Sequence, residues 1–205
     1  MRGVDDQPVV TVVVGRIAVW VSSAPTPPRA SLEAVRRHHA VVEAAMRAVT
    51  PVPLRFGQWL DTEAAVRERA ALRASDWSLQ LKELAGTAEY GVHVVDPRLP
   101  EAARDVRPAS GGSGRGYLEA LAAGGTERAR RTEEGTRVAG QVESAIRSHV
   151  LRSRIDPLET AHGLVSIVFL VRRADADQYQ AGLTRAVETH SDLRFLTSGP
   201  WPPYS

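Results

Sequence analysis

The chain contains no cysteine, and that single absence excludes disulfide frameworks, thiolate metal sites and thiol nucleophiles. It also lacks a run of the roughly 18 to 20 apolar residues that a bilayer-spanning helix needs. A clear excess of one charge is missing too: 26 Lys and Arg stand against 24 Asp and Glu, for a formal net charge of +2. The sequence pI of about 9.4 therefore reflects arginine chemistry, Lys82 being the one lysine, and not a large surplus of cations. Acids interleave with the arginines, as in Arg67-Glu68-Arg69 and Arg130-Arg131-Thr132-Glu133-Glu134, so the clustered positive face expected of a nucleic-acid binder is not written here. Asp5 and Asp6 precede the first apolar run, unlike the basic start of a secretory signal. The expected compartment is the cytosol.

What remains is an ordinary globular composition, 43% hydrophobic and 24% charged over 205 residues, enough for one large domain or two small ones. Two β-branched stretches, Val9–Val14 and Ile17–Val21, flank Gly15-Arg16 and read as a hairpin. Pro25, Pro27 and Pro28 end that pattern. Ser31 then offers an N-cap for a helix from about Leu32 to Val49, with Val35, His38 or His39, Val42, Ala45, Met46 and Val49 near one face. Thr50-Pro51-Val52-Pro53 stops it, and Leu54-Arg55-Phe56-Gly57 reads as a short strand. A second helix is expected from Thr62 to about Leu84, with Ala65, Val66, Ala70, Leu72, Trp77, Leu81 and Leu84 as its apolar positions and Gly86 as its terminator.

The remainder follows a βαββαβ order, the split βαβ pattern of ferredoxin-like domains. Its parts are a strand at Glu89–Val95, a helix from about Tyr117 to His149, a weak strand near Leu151–Ile155 and a strong apolar one at Leu164–Val171. A helix at Asp175–Thr189 and a last strand at Leu193–Thr197 complete it. The sequence thus reads as an α+β protein of two domains, residues 1–84 and 85–205. Residues 97–116, rich in Pro, Gly, Ser and Arg, read as a flexible loop, since long segments without secondary structure are mobile or functional.

No catalytic constellation emerges. Gly112, Gly114 and Gly116 have neither Walker nor dinucleotide spacing, which leaves a linker-like composition. His39 and Glu43 lie one helical turn apart, but adjacent His38 and His39 point about 100° apart on a helix, so packing or capping is the expected role. There is no Gly-x-Ser-x-Gly elbow and no aromatic RNP run on a strand. No cofactor and no metal are expected. The unusual feature is the closing Gly199-Pro200-Trp201-Pro202-Pro203-Tyr204-Ser205. Its prolines fix φ and remove donors, making a stiff extended tail that carries two large amphipathic rings. Such a tail docks either on its own domain or on a partner. Arg55 has the same two readings, a half-buried Arg paired with an acid or a contact residue.

Taken together, the motifs resemble the gas vesicle accessory protein family F/L. The residues that carry the resemblance are His38-x4-Glu43 with Thr50-Pro51-Val52-Pro53-Leu54-Arg55-Phe56-Gly57, then Leu81-x2-Leu84-x-Gly86-x2-Glu89-x-Gly91-Val92, then Gly116-Tyr117-Leu118, and the tail. The resemblance implies an N-terminal α+β domain and a modified ferredoxin-like C-terminal domain. It also implies a non-enzymatic accessory component of gas vesicles that contacts the small hydrophobic shell protein and other accessory proteins during nucleation. Such a partner would keep an apolar shell subunit from aggregating before assembly.

Arg55, Phe56, Gly57, Trp201, Pro202, Pro203 and Tyr204 are then candidate partner-contact or family-signature positions, and the expected localisation is cytoplasmic, at the gas vesicle. No nucleic acid, membrane or small-molecule substrate is implied. The alternative reading is a ferredoxin-like regulatory module binding a small ligand or RNA. Longer members of the family begin with a further β segment, so the strand Val9–Val14 is expected to leave an open edge, a template for another chain.

Overall fold

The structure, a computed structural model, describes residues 1–99, 114–158, 160 and 162–204. The chain divides into two compact units, one of Met1–Ala88 with Trp201–Ser205 and the other of Glu89–Pro200. The division falls inside a strand, a few residues beyond the Ala85 expected from the sequence.

In the first unit, β1 (Val9–Val14) and β2 (Ile17–Ser22) form the expected antiparallel hairpin, with Val14 opposite Ile17 and Val9 opposite Ser22. Gly15 takes φ 58 at the first turn position, where a type II′ turn favours glycine. Helix α1 (Leu32–Met46) starts where the sequence places it, the Ser31 hydroxyl accepting from the Ala34 amide at 3.1 Å. Ala34, Val42 and Ala45 face inward, whereas Val35 and Val49, expected on the same stripe, are exposed. Helix α2 (Glu63–Glu83) is capped in the same way, the Thr62 hydroxyl accepting from Ala65 at 3.1 Å. It packs against both strands of the hairpin. Val12, Ile17 and Ala70 are buried, while Leu72 is 76% exposed and does not belong to the packed face.

The short strand expected at Leu54–Gly57 is an irregular segment with a turn. Pro51 and Pro53 lack backbone donors two residues apart, so both losses fall on one edge of the approaching chain. Gly57 then takes φ 88, outside strand geometry.

In the second unit, β3 (Thr87–Val95), α3 (Gly114–Ile146), β4 (Arg152–Pro157), β5 (Gly163–Arg172), α4 (Ala176–Glu188) and β6 (Arg194–Trp201) follow the βαββαβ order, and the sheet runs β4-β5-β3-β6. Neighbouring strands β5 and β3 come from different β-α-β halves, which is the split arrangement. Val92, Val94, Ile167, Phe169 and Val171 from the sheet, Val138, Val142 and Ile146 from α3, and Tyr179 and Leu183 from α4 make the core. Strand β6 continues through Gly199 and Pro200 instead of ending at Thr197. As the last strand of the sheet it has a free edge, and a proline is tolerated there. Of the loop expected at 97–116, residues 100–113 lie outside the described residues, and Gly114–Gly116 open α3.

Candidate functional site

The two segments that the sequence marks as signatures lie far apart along the chain, yet both are held by α1 in the first unit. His38 points to the irregular segment: its Nε2 lies 3.0 Å from the Leu54 carbonyl oxygen, and its ring meets Phe56 edge-on at 5.8 Å. With a carbonyl as its partner, that nitrogen is the donor. His39, one residue on, points to the tail, its ring 5.1 Å from the Trp201 indole and its Nδ1 3.4 Å from the Tyr204 hydroxyl. Adjacent helical residues diverge by about 100°, and here that divergence serves two separate segments.

Pro202 and Pro203 are fully buried, Trp201 is half-buried, and Tyr204 is 49% exposed. The tail thus belongs to the first unit, although the sequence division assigns residues 85–205 to the C-terminal domain. Phe56 is half-buried, and Arg55 and Gly57 are exposed. The half-buried, acid-paired Arg55 is therefore corrected: its side chain lies at the surface, where solvation removes the need for a partner. Among the described residues no group of three or more His, Asp or Glu is placed to hold a metal ion.

Beside this pair of histidines lies a groove of about 570 Å³, which sequence reasoning does not foresee. Its floor is the whole of β2, and its walls are α1 through Val41, Val42 and Ala45, the segment Val49–Leu54, and α2 through Trp77 and Leu81. The signal was present but diffuse: Pro51 and Pro53 keep their segment from joining the sheet, which leaves an apolar strand without a neighbour.

The second unit holds a charged cluster that the sequence also conceals. Asp96, buried at the end of β3, accepts from the Arg98 amide and Nε through Oδ1 and from Nη2 through Oδ2, each at 2.9 Å, while Arg98 Nη1 reaches Asp192 at 3.0 Å. The Asp96 amide donates to the His162 carbonyl at 2.9 Å, and His162 Nδ1 donates to the Leu99 carbonyl at 2.7 Å. The Arg98 hydrogen bonds hold the Asp96 carboxyl below its ordinary range against the opposing effect of burial. Each of these contacts is between groups of the same unit and pins a turn, so the cluster is structural in kind.

The described molecule is thus a two-unit α+β protein with an apolar groove in its first unit. The chain belongs to the gas vesicle synthesis protein GvpL/GvpF family, which matches it over residues 1–205. It is 29% identical to gas vesicle protein F of a Streptomyces species, over 100% of this chain and 91% of that protein. It is 28% identical to gas vesicle protein L1 of Halobacterium salinarum, over 99% of this chain and 82% of that one. The fold is similar to the crystal structure of GvpF from Microcystis aeruginosa, with a TM-score of 0.76 at 16% identity. It is also similar to that of GvpF from an Anabaena species, with a TM-score of 0.78 at 17% identity. Each match covers 100% of this chain and 90% of the crystallised one. No described helix is long and apolar enough to cross a membrane.

Proposed function

We propose that this chain is a non-enzymatic accessory component of the gas vesicle. It acts in the cytoplasm, where it binds the small hydrophobic shell protein and keeps it from aggregating while the vesicle is nucleated and assembled. The observation that carries this reading is the apolar groove along β2, which Trp20, 42% exposed, helps to line, together with Val13, 58% exposed on β1 of the same hairpin. Contiguous apolar surface of this kind is costly in water and marks an interaction site. Family membership supplies the setting, since the partners expected are other gas vesicle proteins.

The two units act as two domains in this reading, the N-terminal one carrying the contact surface. Arg55, Gly57 and Tyr204 remain candidate contact positions at its exterior. Phe56, Trp201, Pro202 and Pro203 support them from beneath. Co-expression of tagged protein with the shell protein, followed by affinity purification at low and high salt, tests the proposal. Shell protein recovered at both ionic strengths is expected, because apolar association does not weaken with salt. Recovery of the tagged chain without shell protein would sink it.

A further inference from the structure

The hairpin's two edges are not equivalent, and the difference can be read from its hydrogen bonds. In an antiparallel pair, residues alternate between those bonded to each other and those whose amide and carbonyl point away. A two-residue turn makes the flanking pair, Val14 and Ile17, a bonded one, so Val13, Thr11 and Val9 of β1 and Ala18, Trp20 and Ser22 of β2 point outward. Two observations fix this parity independently. The Val9 amide donates away from β2, to the Met1 carbonyl at 3.2 Å, and the Val13 carbonyl accepts from Arg67 Nη1 at 3.0 Å. Those same bonds engage both ends of the β1 edge, the one the sequence reading expects to be open.

The β2 edge has no such cover: among the described residues no hydrogen bond is made by the outward backbone groups of Ala18 or Trp20. It is also the edge that lies in the groove. A cavity over one face of a strand is lined by alternate residues, because side chains alternate between faces. Here every residue from Arg16 to Ser22 lines the groove, which places the empty space along the strand's rim. The opposite wall cannot fill it as a partner strand, since Pro51 and Pro53 have no donors to offer.

We infer that β2 is a docking edge for an extended apolar segment of a partner protein, which adds as a third strand alongside Ile17–Ser22. The edge runs for about 20 Å at strand rise. Main-chain bonds to Ala18 and Trp20 give the segment its hold, and its side chains alternate between the α1 wall and the α2 wall. Arg16 and His38 line the groove without any carboxylate, so the segment is apolar in its middle and carries an acid at the end beside Arg16. The inference rests on the assembly reading above for the source of this segment, taken to be the shell protein.

Amide exchange read residue by residue tests it, with two probes: the shell protein, and a short synthetic peptide of alternating valine and threonine ended by glutamates. Both are expected to slow exchange at Ala18 and Trp20. Ala18→Pro removes one outward donor without touching a bond of the hairpin and is expected to weaken either probe roughly five- to tenfold. Thr11→Pro, the matched change on the β1 edge, is expected to leave binding unchanged.

Ala18 and Trp20 amides already protected in the free protein would overturn the inference, because the edge would then be occupied without a partner. Equal losses in the two proline variants would overturn it as well. Shell protein that binds while leaving Ala18 and Trp20 unprotected would refute the edge but leave the assembly role standing. Peptide protection without shell-protein binding would do the reverse.

Discussion

At the scale of single residues, the most informative is Asp96, because a buried carboxylate is tolerated only when it is paired and hydrogen-bonded. Its three bonds from Arg98 favour the ionised form, and the carboxyl titrates below its usual value. A carboxylate with a depressed folded value contributes stability that is present above its unfolded value, about 3.9. That contribution is lost as the pH falls through the folded value. Glu134 is shifted in the same direction by Arg137. Denaturant midpoints followed from neutral pH to about pH 2 are therefore expected to fall below pH 4 for the native chain. They should fall less steeply for Asp96→Asn, which removes the Asp96 contribution and leaves that of Glu134 in place. Parallel curves for the two proteins would show that the Asp96–Arg98 pair does not stabilise the fold. Gly199 illustrates a different limit on reading residues. Its φ is 108, and a Cβ at this position would come within 2.7 Å of the Glu89 carbonyl oxygen, so glycine is required there. The sequence shows only a breaker before proline.

At the scale of elements, the structure separates segments held by their own chemistry from segments held by packing. The hairpin, the capped start of α1, and the strongly apolar β5 were legible because their signals are local: β-branched runs around a turn, and a hydroxyl three residues ahead of the amide it caps. Leu54–Gly57 was not, since its composition suits a strand while its neighbours Pro51 and Pro53 deny it one. The far end of β6 was missed for the converse reason. Gly199 and Pro200 read as breakers, yet the last strand of a sheet accepts them.

Helix α2 offers a direct test of the local signals. Ala70 is its one buried residue, so it draws little from the core and its N-terminal cap carries more of its stability. Thr62→Ala is expected to cost about 1 kcal/mol, seen as a lower midpoint in chemical denaturation and as faster exchange in the first turn after Glu63. A change of only a few tenths of a kcal/mol would mean that packing on the hairpin, not the cap, fixes where α2 begins.

At the scale of the whole molecule, the chain's last residues return to the unit that contains its first, an arrangement no local pattern announces. The tail was legible as stiff and aromatic, and its docking was foreseeable from the cost of a Trp left in water. Its destination was not, because the docking surface is assembled from α1, far away in sequence. Trp201 and Tyr204 meet His39, and Pro202 and Pro203 are fully buried. Removing Trp201–Ser205 therefore strips apolar cover from the first unit and exposes the His39 side of α1. The expected result is a chain that still folds, with faster amide exchange across α1 and unchanged protection in α4 and β5. Their core residues, Tyr179, Leu183, Ile167 and Phe169, belong wholly to the second unit. The groove is lined by other residues, so binding through the β2 edge should survive the truncation wherever α1 remains folded. Faster exchange confined to the second unit would mean that the tail's stabilising contacts lie elsewhere than on His39.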